Sequence, residues 1–94
     1  MALNARMTDW TGRRAWLIGA SSGIGRATAQ ALHAQGAHVI VSARDAVALQ
    51  EFVSQHAGAQ AVPLDVTDAL AVKSAALALL AQGPLDAVVY CAGH

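Results

Sequence analysis

One cysteine, Cys91, stands among 94 residues, so no disulfide can close within this chain, a usage that suits a reducing cytoplasm. Charge is scarce too. Six basic and six acidic residues make up 13% of the sequence and cancel to a formal net charge of zero. The basic residues are scattered rather than clustered, which argues against a nucleic-acid surface or an anionic membrane as partner. No apolar run approaches the ~20 residues that span a bilayer. The segment from Met1 to Gly12 lacks the apolar stretch of a signal peptide and reads as a short lead-in, with Met7 a second possible start. The four histidines show no ligand spacing: His33 and His38 straddle Gly36, while His56 and His94 are remote, so no metal site is expected. His33 and His56 read as exposed helix residues, and Lys73 as a solvated interruption of an apolar helix.

What is abundant is apolar side chain, 55% of residues, too much for a disordered chain and without coiled-coil patterning. The length fits one small domain. Its organising stretch is Ala15 to Gly36. The run Ala15-Trp16-Leu17-Ile18 has the character of a buried strand. Gly19, Gly23 and Gly25 follow, with Ser21 and Ser22 between them. Then Ile24, Ala27, Thr28, Ala31 and Leu32 fall at helical spacing, predicting a stripe on one face, and Gly36 can end that helix in the left-handed conformation. Strand, glycine turn and helix together present free backbone N–H groups and the positive end of the helix dipole to a phosphate. Gly19 suits a turn at positive φ, Gly23 removes a side chain where a pyrophosphate would approach, and Gly25 lets the first helical turn lie close to the sheet.

Further along, His38 to Ser42 reads as a second buried strand. Asp45 can cap a helix over about Val47 to His56, with Leu49, Phe52 and Val53 inward. Gln60 to Leu64 reads as a third strand. Asp68 can cap a helix over about Ala69 to Gln82, closed by Gly83-Pro84, and Asp86 to Tyr90 reads as a fourth strand. Strands alternating with helices through short connections predict an α/β fold with a parallel sheet and right-handed crossovers. If the sheet is of Rossmann type, half of a doubly wound fold with flanking helices, its strand order is 3-2-1-4. Ligands then sit at the carboxyl ends of the strands, where Gly19 to Gly25, Ala43-Arg44, Asp65-Val66 and Cys91 to Gly93 converge.

The stretch Ile18-Gly19-Ala20-Ser21-Ser22-Gly23-Ile24-Gly25 resembles the TGxxxGxG cofactor motif of the classical short-chain dehydrogenase/reductase family, with Ile18 in place of the usual Thr. Tyr90-Cys91-Ala92-Gly93 falls where that family writes Asn-Asn-Ala-Gly, keeping the Ala-Gly pair and replacing both asparagines. The resemblance runs from about Trp10 to Gly93 and covers only the first part of a family member. It implies that residues 1–94 are the N-terminal NAD(P)-binding Rossmann part of a truncated single domain. The complete protein would be a cytoplasmic homo-oligomer that transfers hydride between NADP(H) and a small-molecule carbonyl or alcohol.

On this resemblance Gly19, Ser21, Ser22, Gly23, Ile24 and Gly25 cradle the pyrophosphate and nearby ribose. Asp65 and Val66 meet the adenine, and Ala92 and Gly93 lie against the adjacent ribose. Arg44 follows the second strand 19 residues after Gly25. A basic residue there accommodates the 2′-phosphate of NADP, where an acidic one would bind the ribose hydroxyl of NAD, so NADP(H) is preferred and NAD(H) possible. The alternatives are a solvated Arg44 beside Asp45, and an Asp65 that only shapes its turn.

The family's proton chemistry uses a Ser and a Tyr-x-x-x-Lys pair, in which the lysine lowers the tyrosine pKa toward neutrality. Here Lys73 precedes Tyr90, and His94 stands four residues after it, so no catalytic residue is assigned. Cys91 reads as a structural cysteine rather than a reactive thiol. Two other readings remain: a sensor that binds NADP(H) without chemistry, and a short chain completed by a partner or by self-association across an open strand edge.

Overall fold

The computed structural model describes residues 9–21 and 23–91. Four strands and three helices alternate: β1 (Arg14–Ile18), α1 (Gly23–Ala34), β2 (His38–Ser42), α2 (Ala46–Gln55), β3 (Gln60–Ala61), α3 (Ala69–Ala81) and β4 (Ala87–Tyr90). All pairings are parallel, in the order β3-β2-β1-β4. This is the Rossmann-type order expected from the alternation of elements.

β1 is the centre of the sheet. Ala15 to Ile18 are all buried, because each of these residues has a strand on both sides and a helical layer over its side chain. Alternate residues serve opposite layers. Ala15 and Leu17, with Val39 and Val41 of β2, face α1 and α2, where Ala29, Leu49 and Phe52 complete a buried cluster. Trp16, Ile18 and Ile40 face α3 and pack on Leu79. The continuous apolar runs of β1 and β2 thus follow from burial on both faces. Trp16 adds a polar constraint: its indole Nε1–H donates to Ser42 Oγ at 2.8 Å, a buried bond between neighbouring strands.

The helix boundaries follow the capping residues. Asp45 accepts from the Ala48 N–H at 3.0 Å and Asp68 from the Ala71 N–H at 3.1 Å, each satisfying a first-turn donor. Gly36 takes φ +98 at the end of α1. The carbonyl end of α3 is closed by Arg14, whose Nη1 donates to Leu79 O at 3.1 Å, Gly83 O at 2.6 Å and Pro84 O at 3.3 Å. One guanidinium therefore ties the last turn of α3 to the start of β1.

Three expectations need correction. The face of α1 that meets the sheet is Gly25, Ala29 and Leu32, a wheel turned from the expected stripe; Ile24 is 83% exposed, and Ala27 and Ala31 also face outward. The reason is space at the first turn. A Cβ on Gly25 would come within 2.8 Å of Gly19 O and 3.0 Å of Cys91 Sγ, so only glycine can occupy the point of closest approach. The third strand is shorter than Gln60 to Leu64. β2 itself ends at Ser42, so past Ala61 the chain keeps Val62 N–H to Val41 O and Leu64 N–H to Ala43 O, while Pro63 between them takes the outward position of an edge strand, where its missing N–H costs no bond to β2. His33 and His56 are half-buried rather than exposed. Their rings meet edge to face at 5.0 Å, His56 stacks on Phe52 at 3.9 Å, and each histidine has a ring nitrogen on a backbone carbonyl, Ala57 O or Phe52 O.

On the α3 side, Val88 and Tyr90 of β4 and Leu70, Leu77 and Leu80 of α3 are all more than half exposed. No helix among the described residues is long and apolar enough to cross a membrane.

Two substitutions test this packing. Ser42→Ala removes the acceptor of a buried indole N–H, and the chain should lose about 1–3 kcal/mol in urea unfolding. Gly25→Ala places a methyl against backbone that cannot step aside. It should lower the unfolding midpoint by an amount equivalent to ~1–3 kcal/mol, whereas Ala27→Ser on the outward face should leave the midpoint nearly unchanged.

Candidate functional site

Parallel strands end together, so the loops that follow them gather at one edge of the sheet. After β1 the chain turns at Gly19, with φ +87, and the Gly19 and Ala20 N–H groups both donate to Ser42 O, at 2.6 and 3.1 Å. Those bonds fasten the glycine turn to the end of β2. A Cβ on Gly19 would lie 2.8 Å from Cys91 O, so the loop after β4 also presses on this turn; the Cys91 N–H donates to Ile18 O at 2.8 Å. Cys91 is half-buried beneath α1, and burial pushes its thiol pKa up, away from the reactive thiolate.

The loops after β1, β2 and β3 enclose a cleft of about 510 Å³ lined by Gly19, Ser21, Ala43, Arg44, Asp45, Asp65, Val66 and Thr67. Gly19, Ser21, Arg44, Asp65 and Val66 of the sequence-derived site therefore line one cleft. Gly23 and Ile24 stand at the exposed start of α1 and Gly25 is buried behind them; none of the three lines the cleft. Ser22, Ala92 and Gly93 lie outside the described residues.

Gly23 takes φ +64, and a Cβ there would meet nothing within 4 Å. The backbone at Gly23 is thus open on its outer side. The first turn of α1 carries no acidic residue, so nothing opposes an anion at the positive end of the helix.

The charged side chains of the cleft lining follow β2 and β3. The Arg44 side chain is 74% exposed and its Nη1 stands 3.8 Å from Asp65 Oδ2. Asp65 Oδ1 accepts twice from Thr67, from the backbone N–H at 2.9 Å and from the hydroxyl at 2.6 Å, closing an Asx turn. The Thr67 hydroxyl first, and then its N–H, hold the Asp65 carboxyl below the usual carboxylate range, with a smaller pull from Arg44. Asp65 therefore shapes its turn through one oxygen and turns the other toward Arg44. Asp45, the next residue after Arg44, has its Oδ1 engaged by the N-terminus of α2.

Thr67 and Asp45 are cleft residues that motif reading passes over. The signal for Thr67 was the spacing Asp65-x-Thr67, which is that of a turn whose hydroxyl can reach back to the aspartate. For Asp45 the capping role was legible, but its place in the cleft wall depends on how β2 and β3 lie side by side.

The family model for short chain dehydrogenase matches residues 13–94. The chain is 40% identical over 87 residues to 2-keto-3-deoxy-L-fuconate dehydrogenase of Xanthomonas campestris pv. campestris, an alignment that covers 93% of the chain and 28% of that relative. It is 42% identical over 78 residues to L-xylulose reductase of Mesocricetus auratus, covering 83% of the chain and 31% of the relative. Among solved structures, the Pseudomonas aeruginosa RhlG/NADP active-site complex superposes with a TM-score of 0.81 at 35% identity, over 93% of this chain and 37% of that one. An Escherichia coli oxidoreductase, yciK, superposes with a TM-score of 0.82 at 28% identity, over 93% of this chain and 39% of that one. The chain thus spans about three-tenths of the length of these curated relatives. The glycine turn packed against β4, the 3-2-1-4 sheet and these matches agree: the chain belongs to the short chain dehydrogenase family, as an N-terminal portion of its fold.

Proposed function

We propose that this chain is the NADP(H)-binding part of a short-chain dehydrogenase/reductase whose complete form acts on a small carbonyl or alcohol in the cytoplasm, as a homo-oligomer. The observation that carries the cofactor assignment is Arg44, an exposed guanidinium in the cleft wall just past β2, one loop away from the glycine turn. A guanidinium there matches the 2′-phosphate that distinguishes NADP from NAD. The structural neighbour from Pseudomonas aeruginosa, a complex with NADP, supports the same reading.

The residues present fit a dinucleotide. The open backbone at Gly23, together with Gly19, Ser21, Ser22, Ile24 and Gly25, would hold the pyrophosphate and nearby ribose through N–H groups and the helix dipole. Asp65, through the oxygen not engaged by Thr67, would accept from the adenine amino group, with Val66 against the ring. Ala92 and Gly93 would flank the adjacent ribose. The nicotinamide of such a cofactor supplies the hydride chemistry. The chain's own residues bind and orient, and no side chain is assigned to proton transfer. The single tyrosine, Tyr90, lies exposed on β4, and the single lysine, Lys73, is exposed on α3. Activity by the family mechanism therefore requires a Tyr-x-x-x-Lys pair beyond these residues.

Arg44→Ala tests the assignment. NADPH should bind about tenfold or more weakly, the loss expected for a charge-assisted phosphate contact, while NADH affinity changes less than about twofold. Titration of each dinucleotide against intrinsic tryptophan fluorescence measures both, and equal losses would overturn the NADP(H) reading.

A further inference from the structure

The cleft lining around Arg44 is not neutral. Arg44 shares it with two carboxylates, Asp45 and Asp65. Asp45 accepts from the N-terminus of α2 through Oδ1 and, among the described residues, makes no ion pair with Arg44. Asp65 is committed through Oδ1 alone, and the two Thr67 donors at 2.9 and 2.6 Å leave Oδ2 as the oxygen nearest Arg44, at 3.8 Å from Nη1. Among the described residues this is the ion pair that Arg44 makes. The carboxylate is held in its turn by two hydrogen bonds, whereas the guanidinium sits on a side chain that is 74% exposed. The pair is therefore positioned from the Asp65 side.

We propose that Asp65 sets the discrimination between NADP(H) and NAD(H) by acting through Arg44: it is an internal anion that competes with the cofactor's 2′-phosphate for the guanidinium. This rests on the NADP(H) reading of the site. A 2′-phosphate must draw Arg44 from Asp65 and accept a fixed carboxylate nearby; a ribose hydroxyl needs neither. Asp65 thus lowers the preference for NADPH that Arg44 creates, and it is a positioning residue for Arg44 as well as a neighbour of the adenine. The size of the effect is bounded by the exposure of the pair. Water-exposed ion pairs of this kind are weak, which corresponds to a change of about two- to fivefold in an equilibrium constant.

Both dinucleotides carry the same adenine, so any change in adenine binding on replacing Asp65 cancels in the ratio of their affinities. Dissociation constants for NADPH and NADH are to be measured by fluorescence titration at low ionic strength for the chain and for Asp65→Asn, Arg44→Ala and the double variant. Asp65→Asn should raise the NADPH-over-NADH preference about two- to fivefold, even if both affinities fall, and the rise should vanish in the Arg44→Ala background. A ratio that is unchanged or lower in Asp65→Asn overturns the proposal. So does a rise that persists undiminished without Arg44, which would make Asp65 a direct repulsive charge with no action through the guanidinium. Asp65→Ser, which retains a turn-forming acceptor without charge, is measured in the same way and should show the same shift if the asparagine variant does not fold. If Arg44→Ala alone weakens both dinucleotides equally, the NADP(H) reading falls, and this proposal with it. If Arg44→Ala is selective and neither Asp65 variant moves the ratio, only the role of Asp65 falls.

Discussion

Everything in this molecule hangs from the two-sided pairing of β1. Its backbone is bonded to β2 on one edge and β4 on the other, and its side chains enter two separate apolar layers. A strand so placed has no solvent face from Ala15 to Ile18, so those residues must be apolar, and the turn that follows must leave from the middle of the sheet. That turn is Gly19. Because neighbouring strands end at the same level, it meets the chain after β2 through Ser42 O and the chain after β4 through Cys91. The cleft is a consequence of this convergence.

Packing around the turn leaves little tolerance. Gly25 brings α1 against Gly19 O and Cys91 Sγ at distances that no other side chain permits. That approach rotates α1, so that Ala29 and Leu32 meet the sheet while Ile24 is turned outward beside the cleft. On the opposite layer Arg14 closes the carbonyl end of α3 and accounts for a charged residue at the start of an otherwise apolar strand. The two layers differ in completeness. α1 and α2 cover one face, whereas α3 covers the other over Trp16, Ile18 and Ile40 through Val72, Ala75, Ala76 and Leu79, leaving Val88 and Tyr90 more than half exposed.

The cleft combines a rigid part and an adjustable part. Backbone N–H groups, glycines and the Asx turn of Asp65 and Thr67 are held by short hydrogen bonds. Arg44 reaches in from an exposed stem. Such a division suits recognition of a charged group at the rim of a site: the carboxylate defines where the guanidinium rests, and a competing anion can redirect it at small cost.

Much of this was legible in the residues themselves. Element order, helix caps and the glycine turn are local properties, set by residues within a few positions of one another: Asp45 and Asp68 cap because the third N–H onward is within reach, and Gly36 ends α1 because φ +98 is open to it. The parallel sheet follows from alternating apolar runs joined by helical crossovers. What only the tertiary structure decided are facts between elements. The face of α1 depends on an approach to Cys91, far along the chain from Gly25, which helical periodicity cannot see. The length of β3 depends on where β2, which ends at Ser42, stops offering it partners. His33 and His56 are half-buried because α1 and the end of α2 share one layer. The pairing of Arg44 with Asp65 across the cleft belongs to the same class: two strand ends, well separated in sequence, are brought within 3.8 Å because β2 and β3 are neighbours in the sheet. Local conformation is written in short-range sterics and hydrogen bonds; distances between side chains on different elements exist only once the sheet has set them.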